Sequence, residues 1–183
     1  MHNIYKRQGQ AEYNHCYFYT DTIFGFSKLL NDDQLKLIVI NSWKYLVDHS
    51  IIEIYGFVIM PNHIHIIWKF LKSNGKESPA GSFAKFTGHE FRKYLMINDP
   101  NKLETYLSDK KDRHYQFWKR DPLAIPISSE KILIQKLTYI HDNPMKEKWS
   151  LSILAEEYKW SSAKFYFDGT DEFGILTHHK DAG

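Results

Sequence analysis

At 183 residues the chain has the length of one ordinary domain, and its single cysteine, Cys16, excludes an internal disulfide and a cysteine-built zinc site. No apolar run approaches the ~18 residues of a helical membrane span, and residues 1–15 lack the apolar core of a signal peptide, so a cytoplasmic protein with no membrane contact is expected. A net charge of +2 excludes a uniformly basic surface, so any anion-binding face must be local.

In chain order, the aromatic-rich residues 13–22 read as a first strand. A helix follows, with Asn31 as cap and Gln34 as its partner three residues on. Leu35, Ile38, Val39, Ser42 and Leu46 then recur at helical spacing. Residues 51–60 form a second strand, turned by Pro61 and Asn62 into a third over 63–70, an antiparallel hairpin. Residues 72–81 are polar, with two glycines and a proline, and read as a loop. A second helix spans 82–97, its core stripe made by Ala84, Gly88, Phe91 and Leu95. Lys85, His89 and Arg92 form a basic stripe about 100° around it. Residues 98–112 are a charged connection with a short helical turn, 114–119 a fourth strand, and 129–142 a third helix stopped near Asn143 and Pro144.

The order β-α-β-β-α-β-α predicts an α+β fold of ferredoxin-like (RRM-like) type: an antiparallel sheet, helices on one face, and an additional C-terminal helix. A single domain is expected over 1–183, with a core about 13–145 and a C-terminal extension about 146–183. The fold alone names no function.

Two features carry chemistry. His63 and His65 alternate with Ile64 and Ile66, so a strand would present both imidazoles on one face and the isoleucines on the other. Paired imidazoles on a rigid strand suit a divalent metal. On the third helix Gln135, Tyr139 and Asn143 fall at i, i+4 and i+8, away from the apolar stripe of Leu133, Leu137 and Ile140. Docked together, the two faces would assemble two imidazoles, an amide oxygen and a phenol.

These segments resemble a known family. Met60-Pro61-Asn62-His63-Ile64-His65-Ile66-Ile67 is similar to the His-hydrophobic-His strand of the single-tyrosine HUH nucleases and transposases. Tyr139-Ile140-His141-Asp142-Asn143-Pro144-Met145-Lys146 resembles the Y-I-H-x-N-P-V-K signature of REP-associated tyrosine transposases. Phe117-Trp118-Lys119-Arg120-Asp121-Pro122 resembles their F-W-Q-R-D-P stretch, and Trp160-Ser161-Ser162-Ala163 their W-S-S-A segment. The matches keep the family order across residues 55–166.

The resemblance implies a metal-dependent enzyme that cleaves and rejoins hairpin-bearing, palindromic single-stranded DNA through a 5′-phosphotyrosine. Tyr139 would be the nucleophile and His63 and His65 the metal ligands, with Mg²⁺ or Mn²⁺ as cofactor. Insertion-sequence members of the class place a glutamine four residues after the tyrosine. Here Asn143 stands there, as in REP-associated members, and is the expected third ligand, with Gln135 as fallback. Lys85, His89, Arg92, Lys119 and Arg120 are candidate DNA contacts. Homodimer and monomer both remain open, the short, proline-stiffened 119–130 connection favouring a tyrosine helix supplied in cis.

Plainer readings stand beside these. An isolated His-x-His is more often ordinary surface or core, a helix tyrosine is more often packing, and a basic stripe is more often a solvated face. Tyr115 and Tyr106 rival Tyr139 but lack its helix-and-amide setting. Ser161 or Ser162 could cap a helix, and His178 and His179 read as flexible tail. Two other functions compete: a nuclease using water without a covalent intermediate, and a non-catalytic nucleic-acid-binding module.

Overall fold

The computed structural model describes residues 12–109 and 114–181; the reading of residues 1–11 and the end of the 98–112 connection lie outside these. Nine regular elements follow in chain order: β1 (Cys16–Thr22), α1 (Asp33–Asp48), β2 (Ile52–Met60), β3 (His63–Phe70), α2 (Pro79–Asn98), α3 (Pro100–Glu104), β4 (Leu123–Pro126), α4 (Glu130–His141) and α5 (Ala163–Asp168). The four strands form one sheet in the order β2-β3-β1-β4, and every pair is antiparallel. This is the ferredoxin-like arrangement expected from the element order.

Pleating divides the sheet's side chains between two layers. On one face Trp43 of α1 packs on Phe57, and Phe83 of α2 packs on both Trp43 and Trp68. Tyr19 of β1 joins Trp68 from the same side. All of these rings are fully buried and anchor the main core. The other face receives α4, whose Leu133, Leu137 and Ile140 are buried as their spacing predicts.

Gly56 makes that second layer possible. A Cβ there would strike the Leu137 side chain and come within 3.2 Å of Ile140. The glycine sits at a break in the β2–β3 register, where Ile54 pairs with Trp68 and Gly56 with Ile67, leaving Tyr55 as the extra residue.

Several expectations are corrected. Residues 114–119 are not a strand; they make only isolated bridges, Leu107 with Tyr115 and Ile23 with Trp118. The fourth strand is Leu123–Pro126, paired with β1. The 114–119 rings are drawn instead into packing, Phe117 against Phe91 and Trp118 against Phe83. Asp32, not Asn31, caps α1 by accepting from the Gln34 N–H. α2 begins earlier than predicted because Ser78 caps it, accepting from Gly81 N–H, with Pro79 in its first turn. Its buried stripe is Phe83, Thr87, Phe91 and Leu95, one residue off the predicted Ala84 and Gly88.

His178 and His179 are no loose tail. Their rings lie 4.5 Å apart, tilted by 31°, and against Tyr166, while His179 Nε2 stands 3.8 Å from Glu130 at the start of α4. Among the described residues, no helix is long and apolar enough to cross a membrane.

Candidate active site

β3 delivers His63 and His65 to the α4 face, where their rings lie 4.8 Å apart and nearly perpendicular. Each ring is oriented by a neighbour through Nδ1. Asn62 Oδ1 accepts from His63 Nδ1 at 2.7 Å, and Thr20 Oγ1 shares a hydrogen bond with His65 Nδ1 at 2.7 Å. Thr20 is the cross-strand partner of His65 on β1. Both Nε2 atoms are thereby left for a ligand, the arrangement by which a second residue fixes an imidazole for metal binding.

Electrostatics keeps both rings neutral near pH 7. Burial brings the His63 pKa down to about 4, with Lys148 and Lys146 adding to the effect. Burial likewise brings His65 down to about 2, assisted by His63 and by Lys146, Lys136 and Lys148. A neutral imidazole has the lone pair a metal requires.

Tyr139 of α4 faces this pair. Its ring stands edge-on to His65 at 5.4 Å and edge-on to Phe18 at 6.0 Å, and Phe18 in turn stacks on His65. The residue is 42% exposed, so the phenol is held by packing yet open to solvent. Both the tyrosine and the histidines come from one chain. Tyr106 is buried and bonded to Ser27, and Tyr115 lies near Phe117, so neither rival meets the histidines.

The amide candidates are arranged differently from the helical projection. α4 ends at His141, and Asn143 lies in the 3₁₀ turn that follows, so it leaves the Gln135–Tyr139 line. Asn143 is buried; its Nδ2 donates to the Tyr139 carbonyl at 2.8 Å, and its Oδ1 accepts from Lys146 Nζ at 3.1 Å. To ligate a metal, that oxygen must exchange or share Lys146. Gln135, one turn earlier, is exposed. Among the described residues no three His, Cys, Asp or Glu side chains are grouped to hold a metal. The histidine pair itself fits a divalent cation through its two oriented, neutral rings.

Lysines were missed as site residues. Lys146 Nζ lies 4.1 Å from the Tyr139 ring centre, and Lys136 Nζ lies 4.7 Å from Phe18 and 6.0 Å from Tyr139. Burial, with Lys148 next, lowers the Lys146 pKa. The signals were legible: Lys136 stands three residues before Tyr139 on the helix, and Lys146 closes the tyrosine motif.

The Trp160–Ala163 segment proves to be the clasp of α4. Ile59 N–H donates to Trp160 C=O and Ser162 N–H to Phe57 C=O, so the segment pairs with β2. Ser162 Oγ accepts from Phe57 N–H at 2.9 Å and lies 2.8 Å from His141 Nε2. It thereby ties sheet to helix rather than capping α5, while Ser161 Oγ accepts from Ala163 N–H.

The DNA-contact candidates gather elsewhere. Lys85, His89 and Arg92 of α2 face Lys119 and Arg120 across a groove of about 810 Å³, with Asp21 among its lining residues.

The fold and site define an α+β protein of ferredoxin-like topology in which a helix-borne tyrosine meets a strand-borne histidine pair. Among solved structures it is similar to a REP-associated tyrosine transposase bound to a REP hairpin, with a TM-score of 0.58 and 18% identity over 100% of this chain and 95% of that one. No protein-family profile matches the chain, and no curated protein matches it.

Proposed function

We propose that the protein cleaves and rejoins hairpin-bearing single-stranded DNA with Tyr139 as nucleophile. The observation that carries this reading is Tyr139 edge-on to His65 at 5.4 Å, half exposed and flanked by cationic side chains. The whole-chain likeness in fold to a transposase bound to a DNA hairpin supports it.

In the proposed reaction the Tyr139 oxygen attacks a backbone phosphorus. The P–O3′ bond breaks, the 3′ oxygen leaves as a hydroxyl after taking up a proton, and the 5′ phosphate remains on the tyrosine. The phosphodiester energy is conserved, so a second 3′-hydroxyl can displace the tyrosine and rejoin strands without ATP. Lys146 and Lys136 hold positive charge where the attacking oxygen and the phosphate crowd negative charge. His63 and His65, with Asn143 or Gln135, would hold Mg²⁺ or Mn²⁺, which when bound supplies Lewis acidity to a phosphate oxygen. Lys85, His89, Arg92, Lys119 and Arg120 would bind the backbone outside the reacting phosphate.

The test is a denaturing gel of end-labelled, hairpin-bearing single-stranded DNA incubated with Mn²⁺ and either wild type or Tyr139→Phe. A protease-sensitive covalent adduct formed by wild type and absent from the variant is expected. Cleavage that survives Tyr139→Phe would replace the phosphotyrosine with a water nucleophile.

A further inference from the structure

The proposed cleavage leaves one proton without a source. When the P–O3′ bond breaks, its electron pair goes to the 3′ oxygen, and an alkoxide is too basic to leave unassisted at neutral pH. A cation stands on the side of the site away from the nucleophile.

The rings of the site form a row. Tyr139 lies 5.4 Å from His65, His65 lies 4.8 Å from His63, and His63 lies 5.7 Å from Trp149. Lys148 closes the row, its Nζ 5.3 Å from the Trp149 ring centre. Tyr139 thus borders the His65 end and Lys148 the His63 end. The electrostatics has the same order. After burial, Lys148 is the first influence lowering the His63 pKa, whereas at His65 it comes last, behind His63, Lys146 and Lys136.

The backbone fixes this end of the row. Trp149 N–H and Ser150 N–H both donate to the Lys146 carbonyl, at 2.8 and 2.9 Å, and Leu151 N–H donates to the Pro144 carbonyl at 2.9 Å. The tight turn holds the Trp149 indole against His63 and leaves Lys148 exposed beside it. The other two lysines serve the opposite end: Lys146 is bonded to Asn143 and lies 4.1 Å from the Tyr139 ring centre, and Lys136 lies 6.0 Å from it. Among the described residues Lys148 has no hydrogen bond or ion pair through its ammonium, so its three N–H donors are available.

In-line displacement puts the attacking and leaving oxygens on opposite sides of phosphorus. A phosphate lying over the imidazole pair, attacked from the Tyr139 end, directs its 3′ oxygen toward the Lys148 end.

We infer that Lys148 is the general acid of the cleavage step, giving an Nζ proton to the departing 3′ oxygen. The oxygen leaves as a hydroxyl and a neutral amine remains. In rejoining, that amine takes the proton of the attacking 3′-hydroxyl as the bond to tyrosine breaks. This deepens the proposed function and rests on Tyr139 forming the phosphotyrosine.

The test compares single-turnover adduct formation, in Mn²⁺, on two hairpin-bearing DNA substrates that differ in one atom. The scissile position is first mapped with wild type. One substrate has oxygen at the scissile 3′ position and the other has sulfur, which departs as a thiolate and needs no proton. Lys148→Gln should slow the oxygen substrate by about 10²-fold and stay within about threefold of wild type on the sulfur substrate. The sulfur substrate also reports that the variant is folded. Lys148→Arg keeps the charge but cannot release a proton, so its defect on oxygen should persist. Lys146→Gln, at the attacking end, should be slow on both.

An unchanged rate of Lys148→Gln on the oxygen substrate overturns the inference, as does equal slowing on both substrates. Full recovery in Lys148→Arg would make Lys148 a fixed charge and not an acid, and overturns it too. In each of these cases the wild-type adduct still stands. Absence of an adduct from wild type on either substrate overturns the phosphotyrosine reading and this inference with it.

Discussion

The Lys146 ammonium lies 4.1 Å from the centre of the Tyr139 ring while it donates to the Asn143 side chain. One lysine thus links the candidate nucleophile to the amide expected to complete the metal site. On the proposed reading it would carry two separable duties, one electrostatic and one positional.

Lys146→Gln should therefore slow adduct formation on Tyr139 by about 10²-fold, the scale on which removing one preorganised charge-stabilising group is felt. Lys146→Arg should recover a large part of the loss. Single-turnover rates with labelled hairpin DNA measure both, and equal rates for wild type and Lys146→Gln would remove Lys146 from the chemistry.

Thr20→Val leaves the histidines in place but deprives His65 Nδ1 of its partner. Mn²⁺ affinity should fall about 10- to 100-fold by titration calorimetry, whereas His63→Ala should abolish the site. Retention of full Mn²⁺ affinity in His63→Ala would place metal binding elsewhere.

Gly56→Ala should destabilise the protein by about 1–3 kcal/mol, because the added methyl collides with Leu137 and crowds Ile140. α4 would have to lift from β2, carrying Tyr139 away from His65. Urea denaturation gives the stability, and the adduct gel gives the displacement; a stable variant with normal adduct yield would contradict the packing argument.

Ser162→Ala removes the acceptor of Phe57 N–H and the partner of His141 Nε2. A loss of about 1–3 kcal/mol is expected in urea denaturation, since a buried donor is left unmet. A change below about 0.5 kcal/mol would mean that the two groups find other partners.

Burial raises the Asp21 pKa from its ordinary 3.8 to about 8, the Thr22 and Tyr19 hydrogen bonds opposing it. The folded state therefore keeps this proton where the unfolded chain has released it. The contribution to stability is fully present below about pH 4 and is lost as pH rises to about 8, by on the order of a few kcal/mol. Asp21→Asn cannot ionise, so the difference in urea stability between variant and wild type should grow in the variant's favour from pH 5 to pH 8.5. A pH-independent difference would contradict a buried carboxyl that holds its proton to about pH 8.

The sheet and the pairing of imidazoles with the α4 phenol were legible because they rest on periodicity. Two-residue alternation puts His63 beside His65, and the Leu133–Leu137–Ile140 stripe decides which side of α4 meets β2. What failed was decided by tertiary contacts. Residues 114–119 look like a strand because they are aromatic, but Phe117 and Trp118 are taken up by α2. Asn143 was projected along an ideal helix, yet the chain tightens into a 3₁₀ turn at Pro144, turning the amide to Tyr139 and Lys146. Ser162 resembles a helix cap in sequence, and only the approach of β2 makes it a clasp.

The C-terminal extension has a consequence for how copies of this protein can meet. β2 is an edge strand, and an unpaired edge is an open template for another chain. Here Ile59 N–H is bonded to Trp160 and the Phe57 and Ile54 carbonyls accept from Ser162 and Thr177. The chain has occupied its own border. A second sheet cannot join along this stretch without first displacing the segment whose Ser162 holds His141 at the end of α4.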